Sequence, residues 1–250
     1  MKRVVITGAT SGLGKELALQ YAGQGATHIA ITGRREGQLL EVAQACRVRG
    51  AHVETYAVDV RDQAAMKDMA QHFVDKAGGC DLVIANAGMA VEDELSKGDP
   101  EPMTRLLDVN ILGVVNTLLP YVPTMVAQGH GHLTAVASVA GYRAVPNHTA
   151  YAASKMAVRC LMDGFGYDLD EMGIHTTVIN PGFVVSEITD KNQFAMPFLM
   201  ETSKACRLIR RAIERRKRSY TFPWQWRYLL WAFPLLPRWA VDRFMRSDGW

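Results

Sequence analysis

The sequence predicts an α/β fold in which one parallel β-sheet is covered by helices on both faces. Three observations lead to this prediction. Six short apolar runs resemble buried strands, segments with helical apolar spacing separate them, and a glycine-rich turn follows the first run directly. Such alternation is typical of doubly wound parallel sheets. The 250 residues fit one domain of this kind or two small ones, and no repeat or low-complexity linker indicates a second.

The predicted strands are short runs rich in branched apolar residues. The first, Val4-Val5-Ile6, stops at the glycine-rich turn, and the third alternates in polarity. The last stops at Asn180-Pro181-Gly182. In chain order, the strands are predicted at residues 4–6, 28–32, 52–58, 82–85, 133–137 and 175–179.

Apolar residues recur with helical spacing in the five segments between these strands. Asp62 is a suitable first-turn acid or cap for the third segment. The fourth segment tolerates Gly113 and meets Pro120 and Pro123 near its end. The helices are therefore predicted at residues 13–23, 36–48, 62–76, 103–128 and 150–172.

Composition narrows the class of protein. Apolar residues make up 48% of the chain and charged residues 21%, which is ordinary for a globular protein with a real core. The four cysteines lie far apart without metal-ligand spacing, so we expect reduced thiols in a cytosolic protein and no metal site. The apolar run near the start is interrupted almost at once from Thr7 onward, which argues against a signal peptide.

The net charge of +3 is distributed unevenly along the chain. Residues 204–218 hold eight basic residues opposed only by Glu214, and the rest of the chain holds 20 basic and 24 acidic residues. The basic character is therefore a local patch. We assign residues 1–190 to the core, 191–218 to a substrate lid and basic helix, and 219–250 to a last strand and aromatic tail of the same domain.

A glycine-rich turn, Thr7-Gly8-Ala9-Thr10-Ser11-Gly12-Leu13-Gly14, joins the first strand to the first helix. Glycines permit a tight turn and close approach of a pyrophosphate, and a helix N-terminus provides free N–H groups and the positive end of a dipole. An ordinary glycine-rich loop is the minority alternative, given the position after strand one. A P-loop is excluded, because Lys15 is followed by Glu16. We therefore predict a Rossmann-type dinucleotide site.

Tyr151 and Lys155 lie four residues apart in a predicted helix and so share one face. A fixed ammonium near a phenol favours the phenolate and lowers the tyrosine pKa from its ordinary value of about 10. The phenol then becomes usable as an acid or base near neutral pH. Such pairs occur by chance on many helices, so this pair gains meaning only from the motifs around it.

Six motifs in unbroken order make residues 3–190 resemble the short-chain dehydrogenase/reductase family. Besides the glycine-rich turn and the Tyr151/Lys155 pair, the chain carries an Asn-Ala-Gly after strand four, an asparagine in the next helix, a serine ending strand five and a Pro-Gly after strand six. The matching residues are Asn86, Ala87, Gly88, Asn110, Ser138, Pro181 and Gly182. The resemblance implies hydride transfer between a nicotinamide cofactor and a carbonyl or secondary alcohol.

The residues at the end of the second strand indicate which nicotinamide cofactor, NAD or NADP, is bound. An acidic side chain there bonds the adenine ribose hydroxyls of NAD, whereas an arginine accommodates the 2′-phosphate of NADP. Here Gly33 stands at the acidic position, followed by Arg34 and Arg35, and a guanidinium forms forked bonds to phosphate. We therefore expect NADP(H). Two solvent-exposed arginines are the alternative, and Thr10 and Ser11 supply only hydroxyls where many NADP-using relatives carry another basic residue.

The resemblance implies further cofactor contacts. Asp59 would accept a bond from the adenine amino group, and Val60 would contribute backbone. Val184 and Ser186 would hold the carboxamide and pyrophosphate, with Ser186 in place of the family's usual threonine. The full predicted cofactor set is Gly8, Thr10, Ser11, Gly12, Leu13, Gly14, Gly33, Arg34, Arg35, Asp59, Val60, Asn86, Ala87, Gly88, Tyr151, Lys155, Pro181, Gly182, Val184 and Ser186.

The resemblance assigns four residues to the chemistry. Tyr151 would give or take the substrate proton, Lys155 would lower its pKa and hold the nicotinamide ribose, and Ser138 would bond the carbonyl oxygen as charge develops. Asn110 would hold a water that links Lys155 to solvent. A surface Tyr–Lys pair, a strand-end serine and a helix asparagine with a local backbone bond are the structural alternatives. The predicted substrate pocket is formed by Tyr142, Arg143, His148, Phe183, Phe194 and Met196.

All five tryptophans fall within the last 27 residues, close to the basic patch. A transmembrane helix is not expected, because Arg227 and Arg238 bracket too short an apolar run, broken by Pro234 and Pro237. Interfacial helices on anionic lipid, and aromatics packed on the body or on a partner subunit, are about equally supported. A third alternative is a basic patch that binds an acidic acyl-carrier protein.

The leading hypothesis is an NADP(H)-dependent oxidoreductase that acts on a lipophilic carbonyl or alcohol and is cytoplasmic, either free or peripheral at a membrane. A 3-oxoacyl-carrier-protein-type reductase and a non-catalytic dinucleotide-sensing protein are the alternatives. From the family we expect a homodimer or homotetramer formed through residues 103–128 and 150–172. No nucleic-acid partner is expected.

Overall fold

A seven-stranded parallel β-sheet forms the centre of the protein. The structure is a computed structural model that describes residues 1–187, 189 and 196–232. For residues 231 and 232 it describes the backbone only. In chain order the strands are β1 (Arg3–Thr7), β2 (His28–Thr32), β3 (His52–Tyr56), β4 (Leu82–Ala85), β5 (Gly131–Val136), β6 (Ile174–Pro181) and β7 (Ser219–Phe222). Their order across the sheet is β3-β2-β1-β4-β5-β6-β7, and every pair is parallel.

Helices cover both faces of the sheet and enclose two apolar cores. In chain order they are α1 (Gly12–Gly23), α2 (Glu36–Arg47), α3 (Gln63–Ala77), α4 (Glu101–Leu107), α5 (Gly113–Leu118), α6 (Val122–Gln128), α7 (Thr149–Leu169), α8 (Thr202–Glu214) and α9 (Trp224–Ala232). Helices α1, α2 and α8 pack on one face, and α3, α5, α6 and α7 pack on the other. The predicted fold class is therefore confirmed.

Strand β1 shows why the central strands are apolar throughout. Val4 and Ile6 belong to the core under α1, whereas Val5 belongs to the core on the opposite face. Successive side chains of a strand point to opposite faces, so a strand covered on both sides must be apolar at every position. The run Val4-Val5-Ile6 satisfies this requirement.

The functional edge of the sheet follows from its topology. The chain runs outward from β1 to β2 and β3, and then returns to β4 on the other side of β1. Ligands of open α/β sheets bind at such a reversal, beyond the carboxyl ends of the strands. Thr7, Ala85 and Val136 end β1, β4 and β5 at this edge.

The helical stretch predicted at residues 103–128 is present from Glu101 to Gln128, but it is not one uninterrupted α-helix. The stretch divides into α4, a π turn at Asp108–Leu112, α5, a 3₁₀ turn at Leu119–Tyr121, and α6. Pro120 has no N–H for the i→i−4 ladder, which accounts for the second interruption. The π turn adds one residue to a helical turn, and such turns are frequent at functional sites. It contains Asn110.

Among the described residues, Glu101–Gln128 is the one helical stretch long and apolar enough to cross a membrane by length and composition. Its most apolar 18-residue window has a mean hydropathy of 1.4, and 44% of that window is buried inside the fold. The stretch contacts α3, α7 and β4, as the core helix of a globular domain does. Its apolar character is therefore weak grounds for a membrane span.

The described part of the chain after residue 181 adds a strand to the same sheet. Strand β7 extends the sheet beyond β6, and β6 itself runs from Ile174 to Pro181, longer than the predicted 175–179. Conversely, β3 ends at Tyr56, two residues before the predicted end, and Val58 turns into the cleft described below. Predictions for Phe194 and for the tail beyond residue 232 lie outside the described residues.

Candidate active site

The glycine-rich turn is shaped by contacts that only glycine permits. Gly8 and Gly12 have φ values of +66° and +52°, in the left-handed region. A Cβ on Gly8 would lie 2.7 Å from the Cα of Ala87, and a Cβ on Gly14 would lie 2.3 Å from the carbonyl oxygen of Gly8. The turn is thereby held close to β4 and leaves the N-terminus of α1 open to an anion.

Asn86 fastens this turn to the end of β4. Its Nδ2 donates to the carbonyl oxygens of Thr7 and Gly8, at 3.0 and 3.2 Å. In return, the buried Thr7 hydroxyl accepts from the backbone N–H groups of Asn86 and Ala87. The Asn86 side chain therefore positions the turn, and its contribution to a cofactor site is indirect.

A cleft of about 410 Å³ opens at this edge of the sheet. Sixteen of the twenty predicted cofactor residues line it, all except Gly14, Pro181, Gly182 and Val184. Those four have other contacts, since Gly14 packs on Gly8, Val184 belongs to the core, and Gly182 leaves room for Trp226. Sequence reasoning missed five lining residues, namely Val58, Met89, Val109, Val136 and Glu187.

The two arginines after β2 have different surroundings. Arg34 is exposed and lies near Asp59, where its charge contributes to lowering the Asp59 pKa. The main cause of that shift is the hydrogen bond from Arg61, whose Nη2 lies 2.8 Å from Asp59 Oδ2. Arg35 extends across the cleft to Glu187. Both arginines line the cleft.

Tyr151 and Lys155 meet on one face of α7, as predicted. Lys155 Nζ lies 5.7 Å from the centre of the Tyr151 ring and donates to the carbonyl oxygen of Val136 at 3.0 Å. Ser138 hydrogen-bonds the Tyr151 side chain, and its Oγ also accepts from the Ala140 N–H at 3.1 Å. The structure therefore brings together the three side chains to which the sequence assigned proton transfer and charge stabilisation.

The pKa of Tyr151 departs from the sequence-based expectation. Burial raises it above its ordinary value, and the hydrogen bond from Ser138 opposes this shift only in part. Burial also lowers the pKa of Lys155 to about 8, because the ammonium loses its hydration. No lowering of the Tyr151 pKa by Lys155 is found, so the expected direction of the shift is wrong. A phenol with a raised pKa is held in its protonated form at neutral pH.

Asn110 lies fully buried beneath the cleft. Its Oδ1 accepts from the Met89 N–H, and its Nδ2 donates to the Met89 carbonyl oxygen, both at 2.9 Å. Nδ2 also donates to Ser154 Oγ at 3.0 Å, and Ser154 donates to the Tyr151 carbonyl oxygen at 2.7 Å. Asn110 thus joins the loop after β4 to the helix that carries Tyr151. Ser154 was missed by sequence reasoning, since a serine inside a helix has no distinctive pattern.

The loop after β5 packs tightly on α7. A Cβ on Gly141 would lie 2.7 Å from the backbone carbon of Lys155, so a side chain there would push Ser138 away from Tyr151. The Tyr142 ring lies 3.4 Å from the Arg159 guanidinium carbon, and its hydroxyl is 3.0 Å from Thr221 Oγ1. Tyr142 therefore lines a second cavity, between this loop and α9, instead of the cleft that holds Tyr151.

The other predicted pocket residues that the structure describes are not among the residues that line the cleft. His148 ends the loop before α7, and its Nδ1 lies 3.3 Å from the Val91 carbonyl oxygen. Arg143 and Met196 are half-buried. Phe183 packs edge-on against Trp226, with ring centres 6.1 Å apart. A metal site has no support in the described part of the chain, which contains no group of three or more potential ligands.

The aromatic residues after β7 divide into buried and exposed sets. Trp226 is buried and also packs edge-on against Phe198, at 6.3 Å between ring centres. Trp224 is 67% exposed and Tyr228 is 64% exposed, and their rings contact each other. The side chains of Trp231, Trp239 and Trp250 lie outside the described residues. Packing against other residues of the described chain thus accounts for the position of Trp226, whereas Trp224 remains mostly exposed.

Residues 2–196 match the family model described as short chain dehydrogenase. The chain belongs to the short-chain dehydrogenase family. An uncharacterized oxidoreductase of Myxococcus xanthus is 39% identical over 224 residues, which cover 90% of this chain and 88% of that protein. The family assignment, together with the geometry above, makes this site the candidate active site of an oxidoreductase.

Two solved structures of short-chain dehydrogenases are similar in fold and sequence. A 3-ketoacyl-ACP reductase of Sinorhizobium meliloti is 26% identical with a TM-score of 0.79, covering 88% of this chain and 96% of that one. A short chain dehydrogenase/reductase of Burkholderia phymatum, in complex with NAD, is 25% identical with a TM-score of 0.81 and covers 88% of each chain. Members of the family with this fold thus include an acyl-carrier-protein reductase and an NAD-bound protein.

Proposed function

We propose that the protein is an NADP(H)-dependent oxidoreductase that interconverts a carbonyl and a secondary alcohol, with Tyr151 as the general acid and base. One observation carries the proposal: the Tyr151 phenol is hydrogen-bonded to Ser138 beside the Lys155 ammonium, in a cleft whose lining also includes Arg34 and Arg35. A bound nicotinamide dinucleotide would supply the hydride.

The chain's own residues fit a dinucleotide. The turn at Gly8–Gly14 would hold the pyrophosphate at the N-terminus of α1, and Asp59 and Val60 would bind the adenine. Lys155 would hold the nicotinamide ribose. Arg34 makes no ion pair with any described residue and would bind the 2′-phosphate of NADP(H) through its guanidinium. The missing acid at Gly33 removes the usual ribose partner of NAD.

The proton steps follow from the pKa directions. Burial keeps the Tyr151 phenol protonated at neutral pH, so the side chain is ready to donate to a substrate carbonyl oxygen in reduction. Ser138 would donate a hydrogen bond to the same oxygen as negative charge develops on it. Lys155, with a pKa of about 8, is mostly charged at pH 7 and would stabilise the phenolate left behind. Asn110 would hold the water through which Lys155 exchanges protons with solvent.

The test compares Tyr151→Phe with the unchanged protein. Turnover of NADPH with a carbonyl substrate is expected to fall by a factor of about 10² or more, while NADPH binding measured by fluorescence titration is retained. Unchanged turnover would refute the role of Tyr151. Binding of dinucleotide without turnover of any steroid, retinoid, acyl or sphingoid ketone, in a protein with an intact site, would favour a non-catalytic sensing protein.

A test of cofactor choice is better made at Arg34 than at Gly33. A Cβ on Gly33 would lie 2.8 Å from Thr10 Cγ2, so Gly33→Asp would distort the turn as well as add an acid. Arg34→Gln keeps the shape of the backbone and removes the charge. We expect NADPH affinity to fall at least tenfold and NADH affinity to change less than twofold. Equal losses for both would contradict the NADP(H) proposal.

A lipophilic substrate is supported by the surroundings of Trp226. Phe198 and Leu199, which lie within the predicted lid at residues 191–218, are 44% and 46% exposed, and Trp224 and Tyr228 add exposed aromatic surface. Residues Arg215–Arg218 precede β7 and Trp224 follows it, so the strand separates the basic cluster from the aromatic one by about 13 Å. A cytoplasmic protein that contacts lipid would therefore use α9, without the help of that basic cluster.

A second candidate substrate is an acyl chain on an acidic carrier protein. The similarity to the Sinorhizobium meliloti reductase and the basic face of α8 both favour it. Lys204, Arg207 and Arg211 are exposed on that face, while Ala205 and Ile209 are buried beneath it. Arg207→Glu combined with Arg211→Glu would raise KM for a carrier-linked ketone and leave KM for the free ketone unchanged.

A homo-oligomer is proposed from an exposed apolar stripe. Leu112, Leu119 and Val126 recur every seven residues and are 53%, 41% and 43% exposed, and Met156 on α7 is 45% exposed. Leu112 lies in the π turn, Leu119 begins the 3₁₀ turn and Val126 belongs to α6, so the exposed apolar side chains follow the whole helical stretch.

A further inference from the structure

Arg35 connects the two walls of the cofactor cleft through a single guanidinium. Its Nη1 lies 2.9 Å and 3.1 Å from the two carboxylate oxygens of Glu187. Its Nη2 donates to Thr10 Oγ1 at 2.7 Å and to Ser11 Oγ at 3.0 Å. The same side chain thus contacts the glycine-rich turn on one wall and the loop after β6 on the other.

The loop that carries Glu187 lies directly against the turn. A Cβ on Gly12 would lie 3.4 Å from the Cβ of Ser186, the residue before Glu187. The Ser186 N–H donates to Thr189 Oγ1 at 2.9 Å, and Thr189 donates to the Val184 carbonyl oxygen at 2.8 Å. These bonds fix the local backbone around Glu187. Both Glu187 and Arg35 line the cleft together with Arg34.

We propose that Glu187 is a specificity-determining residue, which competes with the 2′-phosphate of NADP(H) for the Arg35 guanidinium. This inference rests on the proposed NADP(H) site and deepens it. A carboxylate and a phosphate monoester are alternative partners for the same forked donor set. While Glu187 binds Arg35, the 2′-phosphate has Arg34 as its cationic partner and a nearby carboxylate that repels it.

The exposure of the pair makes this competition readily reversible. The side chains of Arg35 and Glu187 are 46% and 52% exposed, and ion pairs of that kind contribute between about 0 and 1 kcal/mol. A phosphate that carries more negative charge than a carboxylate can therefore displace Glu187. The displaced carboxylate remains near the phosphate and limits the net gain, so its removal should strengthen binding of phosphorylated ligands alone.

The experiment measures direct binding by calorimetry, without turnover. The probes are NADPH and NADH, with adenosine 2′,5′-bisphosphate and 5′-AMP as short ligands that differ only in the 2′-phosphate. Glu187→Gln is expected to tighten NADPH and the bisphosphate by roughly threefold to tenfold, and to change NADH and 5′-AMP by less than about twofold. Raising the salt concentration should reduce the gain, because the groups are half-exposed.

Two further variants distinguish the inference from a general charge effect. Glu41→Gln removes the same charge from the exposed surface of α2, and it should leave all four affinities unchanged. Arg35→Gln in the Glu187→Gln background should abolish the gain, since the freed guanidinium is its source. Persistence of the gain without Arg35 would overturn the inference.

The inference and the proposed function fail in different ways. If NADPH and the bisphosphate bind no tighter to Glu187→Gln than to the unchanged protein, the role of Glu187 alone is overturned. The same holds if all four ligands gain affinity equally. No measurable binding of either dinucleotide to the unchanged protein overturns the proposed function, and the inference with it. If the unchanged protein prefers NADH and Arg34→Gln does not alter that preference, the proposed function and the inference are both overturned.

Discussion

Asn110 donates a hydrogen bond to Ser154 over 3.0 Å, and both side chains are fully buried. Through this contact the π turn at Asp108–Leu112 is joined to α7 one residue before Lys155. Asn110 simultaneously holds both backbone groups of Met89, which lines the cleft. One buried amide thus fixes the floor of the cleft relative to the helix that carries the proposed acid.

Ser154→Ala should weaken this connection without removing any proposed catalytic group. The change leaves the Asn110 amide and the Tyr151 carbonyl each short of one partner, so the free energy of unfolding should fall by about 1–3 kcal/mol. Urea denaturation measures this. We also expect kcat to fall, because Tyr151 is less firmly held, while NADPH binding is retained. Ser96→Ala, at an exposed position, is the control and should change neither quantity.

The ionisation of Lys155 should give stability a distinctive dependence on pH. Its pKa in the folded protein is about 8, whereas an unfolded lysine has a pKa of about 10.4. Between these values the unfolded chain binds more protons, so the contribution of Lys155 makes stability rise with pH through this window. Below pH 8 the folded state holds a buried charge.

Lys155→Met isolates this contribution. Between pH 7.5 and pH 10.5, the unfolding free energy of the unchanged protein should rise by on the order of 3 kcal/mol relative to that of the Lys155→Met variant. Loss of the bond to the Val136 carbonyl adds only a constant offset. Lys204→Met, on the surface of α8, should give a difference that does not vary with pH. A flat difference for Lys155→Met would contradict the lowered pKa.

The proposed catalytic pair and the glycine-rich turn could be recognised in the sequence because their spacing is local. Tyr151 and Lys155 are one helical turn apart, and Gly8 to Gly14 form one continuous turn. Ser154 could not be predicted in the same way, since its role depends on Asn110, which is 44 residues away. The bond that joins them follows from the π turn, and apolar spacing predicts helix there without revealing the extra residue.

Contacts between distant loops were equally hidden. Arg35 and Glu187 are 152 residues apart; the position of Arg35 after the second strand indicated a cofactor contact, whereas Glu187 was an acidic residue without a pattern. Their pairing depends on the carboxyl ends of β2 and β6 reaching the same edge of the sheet. The direction of the Tyr151 pKa shift was also missed, because helical spacing reveals the nearby cation but not the burial of the phenol, which sets the direction of the shift.

Gly182→Ala and Gly164→Ala form a matched pair with opposite expected effects. A Cβ on Gly182 would lie 2.5 Å from Trp226 Nε1, so the change should displace Trp226 and α9 and lower the free energy of unfolding by about 1–3 kcal/mol. A Cβ on Gly164 has no neighbour within 4 Å, and alanine favours the helix by about 1 kcal/mol.

Thermal denaturation measures the Tm of the two variants, and tryptophan fluorescence reports the exposure of Trp226 in each. Gly164→Ala should raise Tm and leave the emission spectrum unchanged, whereas Gly182→Ala should lower Tm and shift emission as Trp226 becomes exposed. Equal Tm values for the two variants would show that the backbone at Gly182 can move aside, and would remove the structural explanation for this glycine.

The exposed stripe on the helices from residue 101 to 128 predicts that assembly is sensitive to charge. Leu119→Glu combined with Met156→Glu places carboxylates on two large exposed apolar side chains, which are 41% and 45% exposed. Burying an unpaired charge in an interface is costly, so an oligomer formed through this face should dissociate. Multi-angle light scattering after size-exclusion chromatography measures the mass of the species. Val48→Glu, at a 77% exposed position after α2, is the matched control and should leave the mass unchanged. A double variant that keeps the mass of the unchanged protein would place the interface elsewhere.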